Sequence, residues 1–212
     1  MKPVIILGGG GHAGVMLSIL RRLRVSVIGI VDPHLLPHSQ WRDVTVLGGD
    51  AAVLDYASEQ IELVNGIGSL PHDDGLRAGI FERFKREGYI FKTLVDPQAW
   101  IAAEVDLAEG VQLLAGSLVQ SGTKIAENSI INSGAIVEHD CRIGKHVHIA
   151  TGAVLCGQVE IDDRAHIGAG ATLIQCVKIG EASVVGAGSV VTRELGKRKI
   201  VYPARSHVQD LD

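Results

Sequence analysis

The residues best equipped to move a proton in this 212-residue chain are Glu138-His139-Asp140. An imidazole with a free pKa of about 6.5 works as a general base near neutral pH. A carboxylate beside it can orient the ring and stabilise its charged form. A second stretch with chemistry opens the chain. Gly9-Gly10-Gly11-His12-Ala13-Gly14 fits G-x-G-x-x-G, and Asp32 ends the next apolar run. Such glycines let a phosphate approach free N–H groups at a helix N-terminus, and the trailing acid meets a ribose hydroxyl. The pattern predicts nucleotide binding and does not separate NAD from a nucleotide-sugar. His146-x-His148 hints at a metal pair, but no carboxylate or thiol completes a set at the usual spacing, so no metal is expected. His146 and His166 are read as surface residues.

The elements that must position these groups fall into two domains. Over residues 1–94, PVIILG, the Gly loop, VMLSILRRLR and SVIGIVD spell strand, loop, helix, strand, a Rossmann-like βαβ unit with a parallel sheet. VTVLGGDAAVLDYA predicts a strand and a helix, IELVNGIGS a strand and loop, and GLRAGIFERFKREG a helix with Leu76, Ile80, Phe81 and Phe84 on one face. YIFKTLVD is expected to close the domain as a strand. Residues 95–196 then divide into 17 hexads without an insertion, each beginning with Val, Ile or Leu. A six-residue period is neither helix nor simple strand. It predicts a hexapeptide parallel β-helix, three hexads to a triangular coil, with small fifth residues near the corners and glycines in the turns. In this register His139 takes a third position, which projects outward. Residues 197–212 form a tail.

Bulk composition narrows the partners. The net charge is −4 and the pI near 6.1, with no Lys/Arg-dense segment, so nucleic acid is not an expected partner. No apolar run is long enough to span a membrane, and the N-terminal run reads as a strand rather than a signal peptide. Cys141, Cys156 and Cys176 are odd in number and lack CxxC spacing, which fits a reduced, cytoplasmic protein.

A βαβ domain opening on GGGGH, followed by hexads containing INSGAIVEHDCRIG, resembles the bacterial sugar acyltransferases of the nucleotide-4-aminosugar N-acetyltransferase and sialic acid O-acetyltransferase family. The resemblance implies a left-handed coil, a homotrimer, and acetyl-CoA as a co-substrate held between neighbouring β-helices, with no permanently bound cofactor. It implies that His139 is the catalytic base, that Asp140 orients it, and that the Gly157 N–H faces the thioester oxygen. His148, Ala169, Ala187 and Arg205 would contact acetyl-CoA. Gly10, Gly11, His12, Asp32, Gly68, Arg77 and Asn132 would hold the nucleotide-sugar. Val201-Tyr202-Pro203-Ala204-Arg205 lacks the glycine that the family often carries before this motif, and IGSLPHDD replaces its usual IGNN or IGDN loop.

The function expected on these grounds is acetyl transfer to the 4-amino group of a nucleotide-linked 4-amino-4,6-dideoxysugar. The alternative is O-acetylation of sialic acid or a related sugar. An NAD dehydrogenase is disfavoured by a first domain too short for a two-halved dinucleotide fold and by the lack of a hydride-transfer site. A non-catalytic β-helix scaffold or nucleotide sensor is the remaining class.

Overall fold

The computed structural model describes residues 2–71 and 75–204. Its first part is a five-stranded sheet built from β1 (Val4–Leu7), β2 (Val27–Val31), β3 (Gln40–Trp41), β4 (Val44–Gly48) and β5 (Glu62–Asn65), in the order β3-β4-β2-β1-β5. The four strands other than β3 run parallel, and β3 pairs antiparallel with β4. β1 is buried along its length, as its unbroken apolar run requires. Helix α1 (Gly11–Arg22) covers one face of the sheet with Ala13, Met16 and Leu20. Helix α2 (Leu76–Arg86) covers the other with Phe81 and Phe84.

Three sequence expectations change here. The segment after β4 is a 3-10 helix over Asp50–Asp55, one buried residue deep, rather than an α-helix. In YIFKTLVD, Phe91 makes only an isolated bridge to Leu63, and Leu94–Val95 joins the β-helix instead of the first sheet. On α2, Phe81 and Phe84 are buried as expected, but Leu76 is exposed and Ile80 only half-buried.

The second part is a parallel β-helix of three sheets with seven, six and five strands. Strands repeat every 18 residues, as in Leu118 against Ile136 and Ile136 against Val154, so three hexads make one coil. The first-position aliphatics fill the axis, and small fifth-position residues such as Ala135, Cys141, Ala153 and Ala171 are buried beside them. The turn has a conformational signature that the period alone does not disclose. Every fourth position from Gly110 to Gly188 has φ between 54° and 72°, whether occupied by Gly, Asn128, Asp140, His146, Gln158, Arg164, Cys176 or Ala182. The coil therefore demands the left-handed region once per side. Stacking runs past the last hexad, since Ile200–Val201 pairs with Val184–Val185.

The first sheet (Leu94–Val95 through Ile200–Val201) faces the N-terminal domain, with Leu94, Leu114 and Ile130 sharing a core with α1. Polar contacts tie the same joint: Arg22 pairs with the buried Asp96, and Lys85 Nζ lies 2.5 Å from Glu109 Oε2. Among the described residues, no helix is long and apolar enough to cross a membrane.

Candidate active site

A cavity of about 710 Å³ lies where the Gly loop meets the corner between the first and second sheets of the β-helix. Its walls bring together Gly10, Gly11, His12, Asp32 and Gly68 of the first domain with Asn132 and His148 of the second. The loop glycines divide by task. A side chain on Gly66 would collide with Ala13, Ile6 and the Leu7 carbonyl, so packing requires that glycine, whereas one on Gly9 would press mainly on the tip of the Leu35 side chain. A Cβ on Gly10 or Gly11 would meet nothing within 4 Å. Their bareness leaves the helix N-terminus open to the cavity, where α1 offers free N–H groups and its positive dipole end.

Asp32 serves the loop itself. Its Oδ2 accepts from the Gly9 N–H at 2.6 Å and its Oδ1 from the His34 N–H at 2.8 Å. The carboxylate thus holds the loop's shape while lining the cavity. His12 lies half-buried, with Nε2 2.7 Å from Gln112 Oε1 of the β-helix. Burial, with Arg77 nearby, pushes its pKa down to about 4, so the ring is neutral at pH 7.

His139 stands at a different corner, between the second and third sheets. Its side chain is 57% exposed, and its Nδ1 lies 2.9 Å from Asp140 Oδ2. A carboxylate can only accept, so the neutral form of the ring carries its proton on Nδ1 and its lone pair on Nε2. Nε2 lies over Gly157, one coil on: a Cβ there would come 2.5 Å from it. On the other side, a Cβ on Gly122 would overlap Asp140 Oδ1. Two glycines, each 18 residues from its partner, form the seat of the His–Asp pair. The Gly157 N–H has no protein acceptor among the described residues, so a donor is available beside the basic nitrogen.

Three family models match in sequence: the PglD N-terminal domain over residues 3–84, the six-repeat bacterial transferase hexapeptide over 122–157 and 140–175, and the hexapeptide repeat of succinyl-transferase over 158–193. No curated protein matches the chain. Among solved structures, a histidine-to-alanine mutant of GDP-perosamine N-acetyl transferase from Caulobacter crescentus, in complex with CoA and GDP-perosamine, is 33% identical, with a TM-score of 0.84 over 94% of this chain and 93% of that one. The chain belongs to the hexapeptide-repeat sugar acyltransferase family. The acetyltransferase domain of PglB from Neisseria gonorrhoeae FA1090, in complex with acetyl coenzyme A, is 25% identical with a TM-score of 0.86, covering 96% of this chain and 98% of that one. WeeI from Acinetobacter baumannii AYE, at 17% identity, shares the fold, with a TM-score of 0.61 over 94% of this chain and 96% of that one.

The remaining expected site residues of this acyltransferase fall in several places. His148 lies in the cavity wall. The Ser69 carbonyl can only accept, so His148 Nδ1–H donates to it at 2.9 Å, and Nε2 accepts from Asn132 Nδ2 at 3.1 Å. Burial, reinforced by the His166 ring, lowers the His148 pKa to about 3. Both nitrogens of this neutral ring are engaged within the chain, and Asn132 Oδ1 in turn accepts from the Ser133 N–H. Ala169 and Ala187 lie down the same corner, two and three coils beyond Ser133. Arg77, expected against the nucleotide, is instead buried in the domain joint. Its guanidinium donates to the carbonyls of Asn65, Ile67 and Asn128. Arg205 lies outside the described residues.

His166 is buried and the His146 side chain is only 7% exposed, so neither is the surface residue expected. His146 accepts from Asn128 Nδ2 at 3.0 Å, lies 3.2 Å from Glu82 Oε1, and packs edge-on against Phe81. Their burial comes from α2 and the Ser69 loop, which lie far from them in sequence. The residues that sequence reasoning passed over are Gln112, Asn128 and Gly122. Gly122 was within reach, because the coil length places it directly beneath Asp140.

Proposed function

We propose that this chain catalyses acetyl-CoA-dependent N-acetylation of the 4-amino group of a nucleotide-linked 4-amino-4,6-dideoxysugar, with His139 as general base. The observation that carries the reading is the Asp140–His139 pair, whose unprotonated Nε2 lies over a glycine with a free N–H. The relative solved with GDP-perosamine and CoA supports a nucleotide-linked amino sugar as the acceptor. The neutral 4-amine attacks the thioester carbonyl, and a C–N bond forms. His139 Nε2 takes the amine's proton, and the Gly157 N–H receives the oxyanion. The intermediate collapses with cleavage of the C–S bond, and the imidazolium returns the proton to the departing thiolate. Amide and free coenzyme A result.

In this reading Gly10 and Gly11 receive the diphosphate and Asn132 faces the sugar. His148, Ala169 and Ala187 line the coenzyme's path along one corner. The base stands one full side of the coil away from that corner, so the site is completed between copies of the chain in a homotrimer.

The test is thiol release with acetyl-CoA and GDP-perosamine or related nucleotide amino sugars. His139→Ala should cut turnover by about 10²- to 10⁴-fold while both substrates still bind in calorimetry. Wild-type turnover in that variant, across neutral and mildly alkaline pH, would remove His139 from the mechanism. The product should survive mild alkali, which strips an acetate ester but not an amide; loss of the acetyl group would indicate O-acetylation.

A further inference from the structure

The Gly-loop cavity contains a histidine whose hydrogen-bonding sense is dictated by the other domain. Gln112 is 1% exposed and stands on the first sheet of the β-helix. Its Nε2 lies 2.8 Å from the Asn65 carbonyl, which can only accept, so the amide end of Gln112 faces Asn65. Its Oε1 therefore faces His12 Nε2, at 2.7 Å, and must accept from it. The proton of the neutral His12 ring is fixed on Nε2. Nδ1 is left with a lone pair and makes no hydrogen bond among the described residues, in a side chain that lines the cavity.

A lone pair cannot bind a diphosphate, whose oxygens are themselves acceptors at neutral pH. It needs a donor. The cavity has two ends: Asp32, Pro33, His34 and Asp50 wall the end at β2 and β4, while Leu114, Asn132, Ser133 and His148 wall the end at the β-helix. His12 is tethered to Gln112 and so belongs with the second. We infer that His12 is a specificity residue that accepts a hydrogen bond at Nδ1 from a hydroxyl or acylamino N–H on the sugar ring, and that Gln112 is the positioning residue that sets this polarity. This rests on the nucleotide-sugar reading above. A sugar offering no donor at that place would leave a half-buried lone pair unmatched, which is how hydrogen-bonding sites reject analogues.

Two measurements test it. In ¹⁵N-histidine spectra of the whole protein, His12 should be the Nε2–H tautomer from pH 6 to 8, and Gln112→Met should turn it into a tautomer mixture. A proton on Nδ1 in the wild type would overturn the assignment whatever the substrate is. In calorimetry, His12→Ala should weaken GDP-perosamine binding by about 2- to 13-fold, the loss of one neutral hydrogen bond, while GDP binding stays within about twofold. Equal loss for both ligands would place His12 on the nucleotide and refute the inference. If the wild type binds GDP, UDP or dTDP but none of their amino sugars, the substrate reading fails. The tautomer measurement then still decides what Gln112 imposes.

Discussion

At the scale of single residues, the proposed catalytic corner is made by what is missing. A side chain at Gly122 or Gly157 would occupy the space taken by Asp140 or His139, so the proposed base and its carboxylate partner are placed by absent atoms on the coils above and below. On the proposed mechanism this makes Gly122 a positioning residue. Gly122→Ala would push the Asp140 carboxylate off His139 Nδ1, and at φ +72° it would also strain the backbone. Misorientation of this kind costs about 10- to 100-fold in kcat, with KM for both substrates little changed. The strain alone would lower stability without lowering kcat in the folded fraction. The double variant Gly122→Ala/Asp140→Ala should be no slower than Asp140→Ala, because both changes remove one function. Additive losses would show that Gly122 acts elsewhere.

At the scale of elements, the hexad made most of the second domain legible. One strict period fixes the strands, the buried first position and the outward third position. It did not disclose the left-handed fourth position, because seven residue types other than an all-glycine pattern occupy it. The first domain was legible where the apolar runs were long, and failed at Asp50–Asp55 and Tyr89–Val95, where tertiary pairing decided the outcome. Arg77, His146 and His166 were misplaced because part of their surroundings lies across the domain joint, as Asn128 does for Arg77 and Glu82 for His146. The fourth-position rule predicts a stabilising change. Ala182 has φ 54° without the side-chain hydrogen bonding that lets Asn or Asp tolerate this region. Ala182→Gly relieves a cost of about 1–2 kcal/mol against roughly 0.5–1 kcal/mol of added chain entropy. Its melting temperature should rise by a few degrees, and Gly188→Ala should fall. An unchanged or lower melting temperature for Ala182→Gly would refute the rule at that coil.

At the scale of the whole molecule, the three faces of the prism differ in kind. The first sheet is covered by the N-terminal domain. The third presents Asp106, Lys124, Arg142, Glu160 and Lys178 outward, a solvated face. The second presents Trp100, Leu118, Ile136, Val154, Thr172 and Val190, with Trp100 52% and Val190 68% exposed in the single chain. A continuous apolar ladder of this kind marks an interaction surface. It is bordered by the Asn132–Ala169–Ala187 corner on one side and the His139–Asp140 corner on the other. Packing the second faces around a three-fold axis would bring the cavity corner of one copy to the His139–Asp140 corner of the next, the arrangement that the proposed shared site requires. Leu118→Glu combined with Val154→Glu places two charges in this ladder and should shift light-scattering mass from three chains to the single-chain 22.5 kDa. Nucleotide-sugar binding in the intact Gly-loop cavity should weaken modestly, and turnover should be lost. Lys124→Glu on the charged face should leave both mass and turnover unchanged. A double variant that runs as a monomer yet keeps wild-type turnover would show that one chain holds the complete site, and would remove the subunit boundary from the mechanism.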